Sequence, residues 1–435
     1  MKKDAHSASF FCSSQKQPLY HNPYSDVKFR HNVLAKKALL RYAESIKMKE
    51  KSGEEDMKLI HLSDLHIGKR MDEYSLLDDQ RYILEQIIGV IENESPDAVI
   101  IAGDVYDKAV PSAEAVQLFD DFLVSLSKLR LQVFVISGNH DSPERIAFGS
   151  RLMGASGIHM SPVYDGRVEP ISLNDEHGAV NIYMLPFEKP VHVRRFFEDE
   201  EINSYNDALK IAVNALGIDT AQRNVLVTHQ FVTGASRSES EEISVGGTDN
   251  VDASVFADFD YTALGHIHTP QSCGSEKIRY CGTPLKYSFS EAKDTKSVTV
   301  VELREKDELA LRTVPLTPMR DMVELRGSFD EITDKAFYEN TSWQSDYTHI
   351  TLTDDDEIPD AIGKLRKVYG NIVKLDYDNS RTRASAALDG LGNPEKRHPL
   401  DVFAEFYEAQ NGQPMSEEQA EFMSELICGI WEDEI

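Results

Sequence analysis

Five short apolar runs in this chain each stop at a cluster of aspartate, asparagine or histidine, and this repetition narrows the possible folds more than any other feature. Lys58 to Leu62 runs into Ser63-Asp64-Leu65-His66, and Ala98 to Ala102 into Gly103-Asp104. Gln132 to Ile136 meets Ser137-Gly138-Asn139-His140-Asp141, Asn224 to Thr228 ends at His229, and Tyr261 to Leu264 ends at Gly265-His266-Ile267-His268. Short apolar runs bounded by glycine and polar residues read as buried strands. Between the first three lie two patterns of helical period: Leu76, Leu77, Ile83, Leu84, Ile87 and Ile91, then Val116, Phe119, Leu123, Leu126 and Leu129. Ser95-Pro96 closes the first and Pro111-Ser112 opens the second. Strands and helices alternating in this way predict a βαβαβ unit with a parallel sheet, in which ligands gather at the carboxyl ends of the strands. All five clusters fall at that edge, so the pattern predicts one site built from distant loops.

Taken singly these motifs mean little, because an Asp-x-His arises by chance and a lone histidine is commonly structural. Their shared position after buried strands is what makes Asp64, His66, Asp104, Asn139, His229, His266 and His268 candidate metal ligands. Carboxylate oxygen, amide oxygen and imidazole nitrogen suit Mn²⁺, Fe²⁺ or Zn²⁺, whereas the lack of thiolates argues against a structural zinc site. Seven ligands are too many for one ion and suit two ions that share a carboxylate.

The series Asp64-x-His66, Gly103-Asp104, Gly138-Asn139-His140, His229 and Gly265-His266-x-His268 resembles the calcineurin-like metallophosphoesterases over residues 57–301. The resemblance implies an α/β two-sheet sandwich. It implies one metal held by Asp64, His66, Asp104 and His268, and a second by Asp104, Asn139, His229 and His266, with Asp104 bridging. Two cations so placed grip phosphate oxygens and acidify a water. His140 is not needed for coordination; as a donor it could stabilise the phosphoryl oxygens or protonate the departing oxygen. Asp141 either orients that imidazole or caps a turn, and Asp107 is expected behind the site or in a structural role.

His-Leu-Ser-Asp-Leu-His-Ile-Gly-Lys, Gly-Asp-Val-Tyr-Asp, Ser-Gly-Asn-His-Asp-Ser, Leu264 to Gln271 and Tyr280 to Leu285 are similar to the SbcD-type DNA nucleases. That resemblance implies a Mn²⁺-dependent exonuclease on duplex ends and endonuclease on hairpins or single strands, in DNA repair and recombination. It also implies an SbcC-like, SMC-type ATPase partner and two nuclease chains per complex. Rival readings are a small-nucleotide phosphodiesterase and a scaffold that no longer cuts.

The expected organisation is an extension at 1–56, a nuclease domain at 57–318, a small α+β capping domain at 319–377, a linker at 378–398 and a helical pair at 399–435. The extension holds 11 Lys/Arg against 7 Asp/Glu, lacks the apolar core of a signal peptide, and could form a helix at 33–47. In the cap, Lys364, Arg366 and Lys367 form a basic group that reads as either a DNA contact or a solvated face. Past the linker, Pro399 opens one amphipathic helix and Ser416-Glu417-Glu418-Gln419 has the form of a capping box opening another. Two short apolar stripes after a flexible linker suggest a module that docks on a partner, the other reading being that they pack back on the parent domain.

A formal charge of −28 excludes a protein held on DNA or anionic membrane by bulk charge, and fits a catalytic subunit whose partner supplies the basic surface. No apolar run approaches the roughly 20 residues needed to span a bilayer. The four cysteines are too few and scattered for a disulfide framework, which points to a reducing cytoplasm.

Overall fold

The computed structural model describes residues 56–241, 250–356, 358–380, 382–383, 399–411 and 413–432. The expected helix at 33–47 and most of the expected linker lie outside the described residues. Met57–Leu62, Ala98–Ala102, Gln132–Ile136 and Ile158–Met160 lie side by side and parallel, and Ser297–Leu303 and Leu309–Pro315 extend the sheet antiparallel beyond Met57–Leu62. A second six-stranded sheet runs in the order Gln271–Cys273, Ser275–Tyr280, Tyr261–Gly265, Arg223–His229, Gly178–Leu185, Ile171–Asp175, with its four central strands parallel.

Successive side chains on a strand point to opposite faces, and here both faces are covered, which is why the runs are apolar throughout. Leu59, Ile100 and Phe134 of the first sheet pack against Ile182, Val225, Val227 and Ala263 of the second, forming the seam of the sandwich. Ile60, Ile101 and Val133 face the other way, toward helices Leu77–Glu94 and Ala113–Lys128. Leu226 and Leu264 face helix Tyr205–Asn214 on the far side of the second sheet. Ser95 ends the first helix with a left-handed φ of 50° and its N–H on the Ile91 carbonyl, and Ser112 caps the second by accepting from the Ala115 N–H. The second helix is rotated from the expected stripe. Val116 is exposed, while Ala115, Leu118 and Phe122 join Phe119, Leu123 and Leu126 in the core, a set that fits the same helical period.

The expected α+β module at 319–377 has a three-stranded sheet, Met322–Gly327, Tyr347–Leu352 and Asn371–Tyr377, that is parallel throughout. The crossovers carry short helices, Phe329–Thr333, Lys335–Tyr338 and Ala361–Leu365, over a core of Leu325, Ile350, Leu365 and Tyr369. Asp334 separates the first two of these helices by capping the Lys335–Tyr338 turn. This module is tied to the sandwich by polar contacts. Tyr347 Oη donates to Asp79 at 2.8 Å, Arg320 binds the same carboxylate through two nitrogens, and Tyr74 Oη donates to the Ile372 carbonyl at 3.3 Å. Arg366, one of the expected basic group, pairs at the surface with Glu73 of the sandwich.

Helices Pro399–Asn411 and Glu417–Glu432 follow. The capping box closes as its sequence implies: Gln419 N–H reaches Ser416 Oγ at 3.3 Å and Ser416 N–H reaches Gln419 Oε1 at 3.0 Å. Phe406, Phe422 and Leu426 stay exposed. Among the described residues no helix is long and apolar enough to cross a membrane.

Candidate metal centre

The strand ends bring all seven predicted ligands to one place, and the backbone there is unusual. Asp64, His66, Asp104 and His266 have φ of 53°, 44°, 48° and 104°, a region that non-glycine residues rarely adopt and that costs on the order of 1–3 kcal/mol each. Bonds between the two loops hold the first three in place: Asp64 N–H to the Gly103 carbonyl, and His66 N–H to the Asp104 carbonyl, both at 3.0 Å. The sheets also approach unusually closely at this edge. A Cβ on Gly265 would lie 1.9 Å from the Ala102 carbonyl oxygen, so only glycine can precede His266.

The donor atoms form two overlapping groups. In one, His66 Nε2 and His268 Nε2 face each other at 3.2 Å, and the Asp64 carboxylate completes a set whose ligand atoms all lie within 4.8 Å. In the other, Asn139 Oδ1 is 3.0 Å from both His229 Nε2 and His266 Nδ1, and His229 Nε2 is 3.3 Å from Asp104 Oδ2. Asp104 Oδ2 is also 3.7 Å from His66 Nε2, so this carboxylate faces both groups.

These separations fit cations. With metal–ligand bonds of about 2.0–2.2 Å, neighbouring donors on one ion stand roughly 3 Å apart. His229 Nδ1–H donates to the Ala102 carbonyl at 2.8 Å, which turns Nε2 toward Asp104 and Asn139. Two imidazole nitrogens aimed at one point, beside carboxylate and amide oxygens, are a donor set for divalent transition metals and not for zinc–thiolate chemistry.

The electrostatics of the bare site point the same way. Burial pushes the Asp64 carboxyl up and the His66 and His266 imidazoles down, His266 to about 3. Burial opposes charge at Asp104 and His229 as well, but their surroundings together overcome it, with His66 and His140 helping His229 at Asp104, and Asp64 and the Ala102 carbonyl helping Asp104 at His229. Asp104 is held well below the ordinary carboxylate range and His229 is raised to about 9.

His140 lies at the rim, partly buried. Its Nδ1–H donates to the Asp107 carbonyl at 3.0 Å, and its Nε2 sits 4.0 Å from Asp104 Oδ2, turned into the site. Asp141 does not orient this ring. Its carboxylate accepts from the N–H groups of Gly138, Val105 and Tyr106 at 2.9–3.0 Å, so it caps two loops, and the Asp107 carbonyl does the orienting. The Asp107 carboxylate binds Lys69 Nζ at 2.8 Å and lies 3.9 Å from His66 Nδ1, behind the site.

The sequence reading passed over the residues that back the His66 loop. Gln80 Nε2 donates to the His66 carbonyl at 2.7 Å and to Tyr287 Oη at 3.1 Å, and its Oε1 accepts from the Gly68 N–H at 2.9 Å. Tyr287 donates in turn to the Leu65 carbonyl. A glutamine beside the apolar stripe Leu76–Ile91 was the available signal; Tyr287 left none.

Comparison with known proteins agrees with this geometry. The calcineurin-like phosphoesterase family model matches residues 57–270, and a model described as the Type 5 capsule protein repressor C-terminal domain matches 318–411. The SbcD subunit of the SbcCD nuclease from Staphylococcus epidermidis is 31% identical over 385 residues, covering 87% of this chain and 100% of that protein. The chain belongs to the SbcD family of nuclease subunits. A second SbcD relative, from Staphylococcus saprophyticus, is 29% identical over 87% of this chain and 99% of its own length. Membership makes the chain a metal-dependent phosphodiesterase of calcineurin-like fold. A dimetal phosphatase from Danio rerio aligns at 11% identity over 61% of this chain and 99% of its own, with a TM-score of 0.34, too loose a likeness to add weight.

Proposed function

We propose that this chain is the nuclease subunit that hydrolyses DNA phosphodiester bonds at a two-cation site, with Mn²⁺ as the working ion. The observation that carries the reading is Asp104, whose one carboxylate faces both donor groups. In this reading Asp64, His66, Asp104 and His268 hold one cation, and Asp104, Asn139, His229 and His266 hold the other. The bound pair would grip phosphate oxygens, acidify a water for in-line attack and offset the charge of the transition state.

The protein's own contribution is to fix donors and place a proton. Each imidazole whose remote nitrogen donates to an oxygen acceptor presents its lone pair inward, as His229 does through the Ala102 carbonyl. The His140 N–H donates to Asp104 Oδ1 at 2.9 Å, so the shared carboxylate and the His140 ring are set by one another. With Nδ1–H committed to the Asp107 carbonyl, a proton on His140 Nε2 can be donated to a phosphoryl oxygen or to the departing oxygen.

The wider reading assigns 57–318 to catalysis, 319–377 to a cap beside the substrate, 378–398 to a linker, 399–435 to partner docking and 1–56 to an extension. The exposed Phe406, Phe422 and Leu426 support a docking role for an SbcC-like ATPase, two nuclease chains serving each complex in the cytoplasm. The test is Mn²⁺-dependent cleavage of an end-labelled hairpin duplex by the purified chain, with His140→Ala beside it. Cleavage near the hairpin that the variant loses supports the reading. Intact DNA with rapid hydrolysis of a small phosphodiester, under the same conditions, would overturn it.

A further inference from the structure

Behind His268 stands a chain of polar residues drawn from three separate segments. His268 Nδ1 is 2.6 Å from Ser240 Oγ, and Ser240 Oγ is 2.5 Å from Glu291 Oε1. Glu291 Oε2 accepts from Lys296 Nζ at 2.6 Å, and the same ammonium donates to the His268 carbonyl at 2.9 Å. The neighbouring Glu241 accepts from the His268 N–H at 2.6 Å. Glu291 and Lys296 are buried, and burying an ion pair contributes little to stability by itself. Fold stability therefore does not explain why a glutamate, a lysine and a serine converge on one imidazole.

Proton counting does. A charged carboxylate only accepts, so the single hydroxyl hydrogen of Ser240 goes to Glu291. Ser240 Oγ can then meet His268 only as an acceptor, which keeps the proton on Nδ1 and leaves the Nε2 lone pair facing His66 Nε2. The partner cavity of the site needs no such chain, because His229 is fixed directly by the Ala102 carbonyl. The two halves of the centre are thus held by different means.

Resting on the two-cation reading above, we propose that Ser240, Glu291 and Lys296 are positioning residues that set the tautomer and direction of His268, and through it the affinity of the cation held by Asp64, His66 and His268. They touch neither substrate nor cation. The chain predicts an asymmetric loss: removing the Ser240 hydroxyl weakens one cation site and spares the other.

The experiment titrates Mn²⁺ into the chelator-stripped full-length chain by calorimetry, with electron paramagnetic resonance on the same samples. Ser240→Ala is expected to bind one Mn²⁺ as the wild type does and the second about 10–100-fold more weakly, as for other residues that orient metal-bound histidines. The six-line signal of a single Mn²⁺ should persist at concentrations where the wild type shows the coupled pair. Ser240→Thr, which keeps the hydroxyl, should restore the coupled signal, and the metal-free Ser240→Ala chain should still unfold cooperatively, at a midpoint lowered by the lost bond to Glu291. Two unchanged sites in Ser240→Ala would overturn the proposal and leave the two-cation reading standing. So would equal weakening of both sites. A wild-type chain that binds no pair of ions would overturn the two-cation reading itself.

Discussion

Gly138 and Asp104 compete for the same space: a Cβ on Gly138 would lie 2.1 Å from Asp104 Oδ1 and 2.4 Å from its backbone nitrogen. The atom that would be displaced belongs to the one carboxylate that faces both donor groups. Gly138→Ala should therefore act on chemistry first. A displacement near 1 Å at a reacting centre costs about 100-fold in rate, and overpacking costs about 1–3 kcal/mol in stability. Mn²⁺-dependent cleavage and urea unfolding of the variant measure the two effects. Wild-type activity in Gly138→Ala would show that Asp104 does not work from this position.

Tyr347 ties the three-stranded module to the sandwich through Asp79, a buried carboxylate that Arg320 also binds. Tyr347→Phe removes one hydrogen bond to a charged acceptor and leaves the Arg320 pair in place. Losses of this kind run to about 1.5–3 kcal/mol. Because the pair stands away from the predicted ligands, turnover on a short substrate should not change. A variant as stable as the wild type would show that the contact contributes nothing to holding this module.

Much of this architecture is written in the sequence because the strands are buried on both faces. Continuous apolar runs such as Ala98 to Ala102 mark them, and the ligands follow at each carboxyl end. Less legible is anything that rests on tertiary placement. Asp141 reads equally as an orienter of His140 or as a cap, and only the positions of the Gly138, Val105 and Tyr106 N–H groups decide. Ser240 and Glu291 lie 28 and 23 residues either side of His268 in no motif, so nothing local announces that they share it. Val116 and Phe122 fit one helical period equally well until the sheet beneath the helix is known. The left-handed backbone at Asp64 and His66 is likewise invisible, because neither residue is a glycine.

Metal should stabilise the fold as well as activate it. In the bare chain Asp64 and Asp104 are buried close to four buried imidazoles, and burial raises the Asp64 carboxyl toward its neutral form. A cation that binds only the native state adds RT ln(1 + [L]/Kd), about 2.7 kcal/mol at 100 times Kd. Adding Mn²⁺ to chelator-stripped protein should raise the thermal midpoint in a concentration-dependent way, and His229→Ala should blunt the rise. An unmoved midpoint across a titration that saturates activity would contradict this.

The last prediction concerns Glu188, on the loop after strand Gly178–Leu185. Its carboxyl is buried and raised by that burial to about 8, with Arg195 pulling weakly the other way. Oε2 lies 2.9 Å from His192 Nδ1, and His192 is itself pulled below its ordinary value by burial and by Arg195 and Lys189. Both groups are then neutral at pH 7, the carboxyl proton donated to Nδ1. Between the unfolded glutamate value near 4.5 and the folded value near 8, the native state holds a proton that the unfolded chain has released. The slope of stability with pH is accordingly negative in that window and vanishes above it. The wild type should lose on the order of 3 kcal/mol from this group between pH 5 and pH 9, relative to Glu188→Gln, which keeps a donor toward His192 but cannot titrate. Urea unfolding of both chains at pH 5, 7 and 9, with Mn²⁺ absent, isolates the contribution, because every other titrating group is common to the two. A stability difference that stays constant across the three values would mean that Glu188 is ionised in the folded protein.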